Sequence, residues 1–407
     1  MEFTNDSAKI VKTIVSKFDE CQPEKFSNKT FKNNLSKLLT ILYDDIEEAN
    51  KYVENRILTG CFNGRISNKI VKPSIYNSNF IPDNVKAYIE KNGFQQMEYS
   101  CSIEEHDIRI RIMLFNNEEL DKLNEYMKFV YIWLSICYKY SNRICADKLD
   151  IYLYLTPFKK FLPINLTDIL DTENVNSAVT LRCAGNGEIV IFRNEEWMKV
   201  LIHETFHSFG LDMNQYAGNI LKKKIKKLFP IDSSFEIAEA YTETWARIIN
   251  AAFTSYNSMK ESNENKSDFI LYMTFSLQIE RLFALEQIKK ILSFMNLDYE
   301  ILYGDDDSYD YLRKNLYREK THVFSYYILC GIFMNNFYEF LVWCNKNNLK
   351  FLNFRDESQN NVIKFGEFIE ESYLDETLLD GLKCHIFKRK KNKFILNTTR
   401  MSAIEIP

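Results

Sequence analysis

This chain of 407 residues contains only five histidines, and two of them fall four positions apart in VLIHETFHSFG (200–210), with a glutamate directly after the first. Residues at i and i+4 share one face of a helix, so the imidazoles of His203 and His207 can reach a single ion. Glu204 projects beside that face, where a carboxylate can take a proton from metal-polarised water. Together the three suit metal-assisted hydrolysis. An amphipathic helix carrying two solvated or core histidines would show the same spacing, so the flanking elements must decide between the readings.

Upstream, KLDIYLYLTPF (148–158), NSAVTLR (176–182) and EIVIFR (188–193) are dense in β-branched and aromatic residues and read as strands. The last two are joined by CAGNGE, in which Asn186-Gly187 is a hairpin-turn signal. Asn194 can then cap a helix whose first turn carries Glu195 and Glu196 and whose natural stop is Gly210. The order strand, hairpin, strand, helix places the histidine pair on a helix. Earlier, residues 36–58 read as helical, and Pro82-Asp83 opens a helix that Gly93 closes. MEYSCSIEEHDIRIRIMLF (97–115) alternates as a hairpin does, and a long helix is expected from about Asn117 to Tyr140.

With strands ahead of this helix, residues 148–250 resemble the zincin metallopeptidases. The resemblance implies an α+β, zincin-like fold, predominantly helical with a small mixed sheet preceding the HExxH helix. It also implies Zn2+ bound by His203, His207 and a third protein ligand, leaving a position for water. The metzincin pattern matches as far as Gly210, but its third histidine would fall on Met213, and Asp212 is off register. The gluzincin type instead takes an acid from a second helix, and PIDSSFEIAEAYTETWARIINAAF (230–253) offers Glu236, Glu239 and Glu243. Ser233 to Glu236 reads as a capping box, and Glu243 has Arg247 at i+4 for a surface ion pair. Glu239 has no basic partner at helical spacing. Its spacing to Glu243 resembles the ExxxE arrangement of lethal-factor-like peptidases, in which the first acid binds zinc and the second orients a ligand histidine. Glu239 is therefore the expected third ligand, ahead of Glu243 and Glu236, and Glu243 the expected second-sphere partner.

Zincins commonly supply a Tyr or His from beyond the zinc-binding helices to stabilise the oxyanion. His322, which begins THVFSYYILCGIF, and Tyr326, one turn later, are the candidates; a helix-start histidine packed in the core is the alternative. His106 and His385 read as ordinary surface residues.

The chain is 46% hydrophobic and 27% charged, which fits a globular protein and argues against disorder. A net charge of −4 provides no basic field for nucleic acid. Nine cysteines are scattered singly without a CxxC pair, so reduced thiols in a cytoplasm-like compartment are expected, and the first residues hold no secretory apolar run. FSYYILCGIFMNNFYEFLVWC (324–344) is long and apolar enough for a membrane span, but Asn335, Asn336 and Glu339 interrupt it, so a buried core helix is expected. The basic runs KKKIKK (222–227) and KRKK (388–391) read as solvated faces. No clean linker is visible; the expected division is an N-terminal helical region at 1–116, a catalytic core at 117–345 and a C-terminal appendage at 346–407.

The expectation is a soluble zinc metallopeptidase that hydrolyses a peptide or protein substrate, with Glu204 as general base. Its composition loosely resembles that of uncharacterised metallopeptidases of large DNA viruses. Two alternatives stand beside it: a zincin-shaped binding or structural protein without turnover, such as a virion component, and a metal-dependent hydrolase acting on something other than a peptide. The presence of Glu204 favours an enzyme, because a silent scaffold has no need of it.

Overall fold

The computed structural model describes residues 2–58, 64–115, 120–141, 144–262, 264–387 and 393–406. Its contacts divide the chain into one unit of residues 42–159 and 176–212 and another of residues 1–41, 160–175 and 213–407. The chain passes between the units several times, so the three consecutive segments expected from the sequence are not its structural units. Contacts between distant segments define each unit, and no shift in composition marks the crossings.

The first unit is built on a mixed six-stranded sheet in the order β1-β2-β3-β4-β6-β5. The strands are β1 (Arg65–Ser67), β2 (Gln95–Ile103), β3 (His106–Leu114), β4 (Lys148–Thr156), β5 (Ala178–Thr180) and β6 (Asn186–Arg193). β1–β2, β2–β3 and β5–β6 are antiparallel, whereas β3–β4 and β4–β6 are parallel. The hairpin expected at 97–115 is β2–β3, with Glu104 in the left-handed region at φ 52° in its turn. The parallel step from β3 to β4 requires a crossover, which the helix Leu120–Tyr140 supplies; its expected start near Asn117 lies outside the described residues.

β4 and β6 are covered on both faces, which is why they read as near-continuous apolar and aromatic runs. Tyr152, Tyr154, Val190 and Phe192 pack with Val85 and Ile89 of the helix Asp83–Asn92, while Ile151, Leu153, Ile189 and Ile191 are buried on the opposite face. Asn186 and Gly187 are not the hairpin turn expected of them. They open β6 and pair with Lys148 and Leu149 of β4, where a Cβ on Gly187 would lie 3.0 Å from Leu149, so glycine serves a close strand approach. The turn lies at residues 181–185. His106 is likewise not a surface residue: it is 7% exposed and stacks on Tyr138 with ring centroids 4.1 Å apart.

The helix bearing the histidine pair runs Trp197–Ser208. It begins later than the sequence signals suggest, because Glu196 at φ 60° occupies the cap and Asn194 is still tied to β4 through its N–H on the Thr156 carbonyl at 2.9 Å. Its end follows expectation. Gly210 adopts φ +60°, its N–H donates to the His207 carbonyl at 3.2 Å, and the Leu211 N–H donates to the Phe206 carbonyl at 2.9 Å. A Cβ there would sit 3.1 Å from the Cys145 Sγ in a backbone conformation unfavourable to L-residues. Gly210→Ala should therefore lower stability by about 1–2 kcal/mol in urea denaturation; an unchanged midpoint would contradict this account of the helix end.

The second unit is helical. The helices Ile237–Glu261 and Lys266–Phe294 pack together, the latter opened by a capping box of Asn265 and Asp268. Ser233 and Glu236 form no such box: Glu236 is itself the cap residue and lies 3.4 Å from Lys222, while the Ser233 hydroxyl donates to Glu319. Arg247 makes no surface pair with Glu243. It is 2% exposed and binds Glu280 on the neighbouring helix, with Nε 2.8 Å from Oε2, and the nearby Glu243 carboxylate is itself buried. Local spacing offered Glu243, but the packed helix pair brings Glu280 closer.

Residues 324–344 do not form one core helix. A π-helical turn Phe324–Leu329 and a helix Cys330–Asn335 are followed, after Asn336, by a helix Phe337–Asn347, and the two arms bend by 89°. No single helix is long and apolar enough to cross a membrane; this bent pair meets the test by length and composition, and its residues are mostly buried in the helical unit. The run 222–227 lies on the helix Gln215–Leu228, whose Leu221 and Ile225 are buried and whose Lys222 and Lys224 meet Glu236 and Glu370, a solvated face as expected. The run 388–391 lies outside the described residues. Four of the cysteines expected as thiols form disulfides, Cys21–Cys384 in the helical unit and Cys145–Cys183 in the sheet unit. Separations of 363 and 38 residues put these pairings beyond any reading of local spacing. Cys101, Cys137, Cys330 and Cys344 form no disulfide among the described residues, and Cys61 lies outside them.

Candidate metal centre

In the sheet unit, the helix Trp197–Ser208 lies against β5, β6 and the crossover helix. Thr205 anchors it by accepting from the Trp133 indole N–H at 2.7 Å, and the Ser208 hydroxyl lies 2.6 Å from that of Thr180 on β5. These contacts set the rotation of the helix and hence the direction of its histidines. His203, Glu204 and His207 are all buried, and the Nε2 atoms of the two imidazoles lie 3.3 Å apart.

The other nitrogen of His207 decides the tautomer. Its Nδ1 lies 2.7 Å from Oδ2 of Asp212, a carboxylate that is 2% exposed and also accepts from Arg182. The proton therefore sits on Nδ1, where it donates to Asp212, and the Nε2 lone pair is turned toward His203. Arg182 comes within 3.2 Å of the same ring nitrogen, and its charge offsets the buried carboxylate. Asp212 thus does not serve as the third ligand considered from sequence: it holds the nitrogen directed away from His203. The turn at Gly210 carries the chain back so that a residue five positions after His207 meets its ring. Arg182 gave no sequence signal beyond its place at the end of a strand candidate. It is held because the next residue, Cys183, donates its N–H to the His207 carbonyl at 3.0 Å and is disulfide-bonded to Cys145.

The donor chemistry passes a geometric test. Two nitrogens each 2.0–2.1 Å from a tetrahedral ion stand about 3.3 Å apart, the spacing the two Nε2 atoms have. Nitrogen donors with an oriented carboxylate behind one of them suit zinc.

In the helical unit, Glu239 stands in the first turn of Ile237–Glu261 and is half-buried. The Tyr326 hydroxyl donates to its Oε2 at 3.0 Å, and the His322 ring lies edge-on to Tyr326 with centroids 6.3 Å apart. One oxyanion candidate from the sequence, Tyr326, therefore meets Glu239 directly, and the other, His322, stands beside the Tyr326 ring. The π-helical turn carries Tyr326, and Glu319 anchors its start by accepting the Phe324 N–H at 2.8 Å. Burial pushes the Glu319 carboxyl up to about 7. Glu243, one turn beyond Glu239, is buried beside Arg247, and Tyr327 is turned away to the Thr399 carbonyl.

Compared with known protein families, curated proteins and solved structures, the chain matches none.

Proposed function

We propose that the protein is a zinc metallopeptidase of zincin-like fold, in which His203, His207 and Glu239 hold Zn2+ and Glu204 is the general base of peptide-bond hydrolysis. The observation that carries the reading is the pair of facing imidazole nitrogens 3.3 Å apart, one ring tied from behind to a buried carboxylate, on a helix that also bears Glu204. Glu239 is taken as third ligand from its spacing to Glu243 in the ExxxE pattern, and within its own unit its carboxylate accepts from the Tyr326 hydroxyl. Glu236 is engaged with Lys222 instead.

Bound zinc would supply Lewis acidity, polarising the scissile carbonyl and acidifying the attacking water. Glu204 accepts that water's proton and returns it to the leaving amine. The Tyr326 hydroxyl orients Glu239 and, together with His322, offers the donors that stabilise the oxyanion. Asp212 keeps His207 in the tautomer that presents a lone pair, the orienting role expected of Glu243 from the sequence.

Elemental analysis of the purified chain should find about one zinc per molecule, the content of a single three-ligand site. His203→Ala, His207→Ala and Glu239→Ala should each lose it. Cleavage of a peptide library should stop on chelation and return with added zinc; full zinc retention in both histidine variants would sink the assignment. Asp212→Ala should keep the fold but bind zinc about tenfold to a hundredfold more weakly, read by competition with a chromogenic chelator. Undiminished affinity in that variant would remove Asp212 from the centre.

A further inference from the structure

The helical unit contains a second feature that the proposed peptidase chemistry does not use. A cavity of about 1080 Å3 opens beside the helix Lys266–Phe294 and the helix Glu376–Lys383. Leu162, Ile288, Leu292, Phe294, Leu382 and Phe387 are among its walls, so most of what a ligand would touch there is apolar. Its size matches that of small-molecule sites, which are largely apolar with a few placed polar groups.

The charged groups on its walls are not equivalent. The Glu286 carboxylate is saturated: it accepts from Lys289 and from the N–H groups of Ile386 and Phe387 at 3.1 and 3.4 Å. Lys289 is in turn shared between Glu286 and the Cys384 carbonyl. Lys383, His385, Asp298 and Glu300 are exposed at the rim, and Lys383 pairs with Asp380. Lys290 differs from all of these. Its ammonium donates to the Thr398 carbonyl at 2.7 Å and lies 5.9 Å from the Phe387 ring centre, and no carboxylate pairs with it among the described residues. Burial pulls this ammonium down to about 7 against the opposing attraction of the Glu286 carboxylate, whose hydrogen bonds go to Lys289, Ile386 and Phe387. A cation so placed is costly unless an anion meets it.

We propose that this cavity binds a long-chain anionic amphiphile, an alkyl carboxylate whose head pairs with Lys290 and whose tail lies along Leu162, Ile288 and Leu292. The entrance fits such an occupant, because Leu166 lines the cavity while 78% exposed and Ile164, two residues before it, is 98% exposed. The tail gains by leaving water, and the carboxylate adds a direct charge-assisted contact to the attraction that Glu286 exerts without one. The inference is independent of the metal centre.

The test is calorimetric titration of the full chain with sodium decanoate and with 1-decanol. Decanoate should bind saturably at one site, with Lys290→Met weakening it about tenfold or more while leaving decanol binding unchanged, since a charge-assisted hydrogen bond contributes at that level. Leu379→Trp, which fills the cavity from another wall, should abolish decanoate binding with Lys290 intact and decides the matter should Lys290→Met fail to fold. Equal decanoate affinity in wild type and Lys290→Met, or undiminished binding in Leu379→Trp, overturns the proposal. So does association with phosphatidylcholine vesicles alone, independent of Lys290, which would assign Ile164 and Leu166 to a lipid surface instead.

Discussion

If the proposed function holds, Glu204→Gln should leave the zinc content and the unfolding transition of the protein unchanged and slow peptide hydrolysis by about 10²–10⁴-fold, the range contributed by a positioned general base. The amide has nearly the shape of the carboxylate, so the packing of a residue only 8% exposed is preserved. It cannot accept the proton that attacking water must lose. The two histidines keep their facing nitrogens, because the helix is held by Trp133, Thr180 and the Asp212–His207 contact, none of which involves position 204. Three measurements on one variant separate the readings. Hydrolysis at the wild-type rate removes Glu204 as the base. Loss of zinc along with activity would make it a ligand instead. A wild-type protein that binds zinc and cleaves no peptide would be the silent scaffold, or a hydrolase of another substrate.

Glu280→Ala should destabilise the helical unit by about 3–5 kcal/mol, the cost of leaving a buried charge without its partner. Glu280 is fully buried, and one of its oxygens binds the Arg247 guanidinium. The other accepts the Ser402 hydroxyl at 2.6 Å and the N–H groups of Ala403 and Ile404 at 2.8 and 3.0 Å. A single side chain therefore neutralises a buried cation between two long helices and ties residues 402–404 into the core. Truncation removes the hydrogen-bonded partner of Arg247 and of three further donors at once, all of them on buried residues. Glu280→Gln, which retains one acceptor but no charge, should lose less. Urea denaturation of the full chain checks both; a loss below about 1 kcal/mol for the alanine variant would show that Arg247 finds another partner.

The helix with its two histidines and glutamate, the strand order ahead of it, the β2–β3 hairpin and the glycine stop at 210 were legible in the sequence. Each rests on interactions within a few residues: helical spacing, strand alternation, and the backbone freedom of glycine. The three downstream acids were legible as candidates for the same reason, being spaced along one helix. What each acid does was not. Ser233 and Glu236 satisfy a capping-box pattern, yet Ser233 turns to Glu319, because a hydroxyl takes whichever acceptor the packed chain brings closest. Arg247 satisfies an i+4 pairing pattern, yet its hydrogen bonds go to Glu280, because a buried guanidinium binds the carboxylate that helix packing aligns with it. The turn at 181–185, the break at Asn336, the two disulfides and the Arg182–Asp212–His207 contact depend in the same way on segments distant in the chain. Local spacing settles which groups share a face. Only the tertiary structure decides which partner each buried polar group meets, because that depends on desolvation and on contacts far apart in sequence.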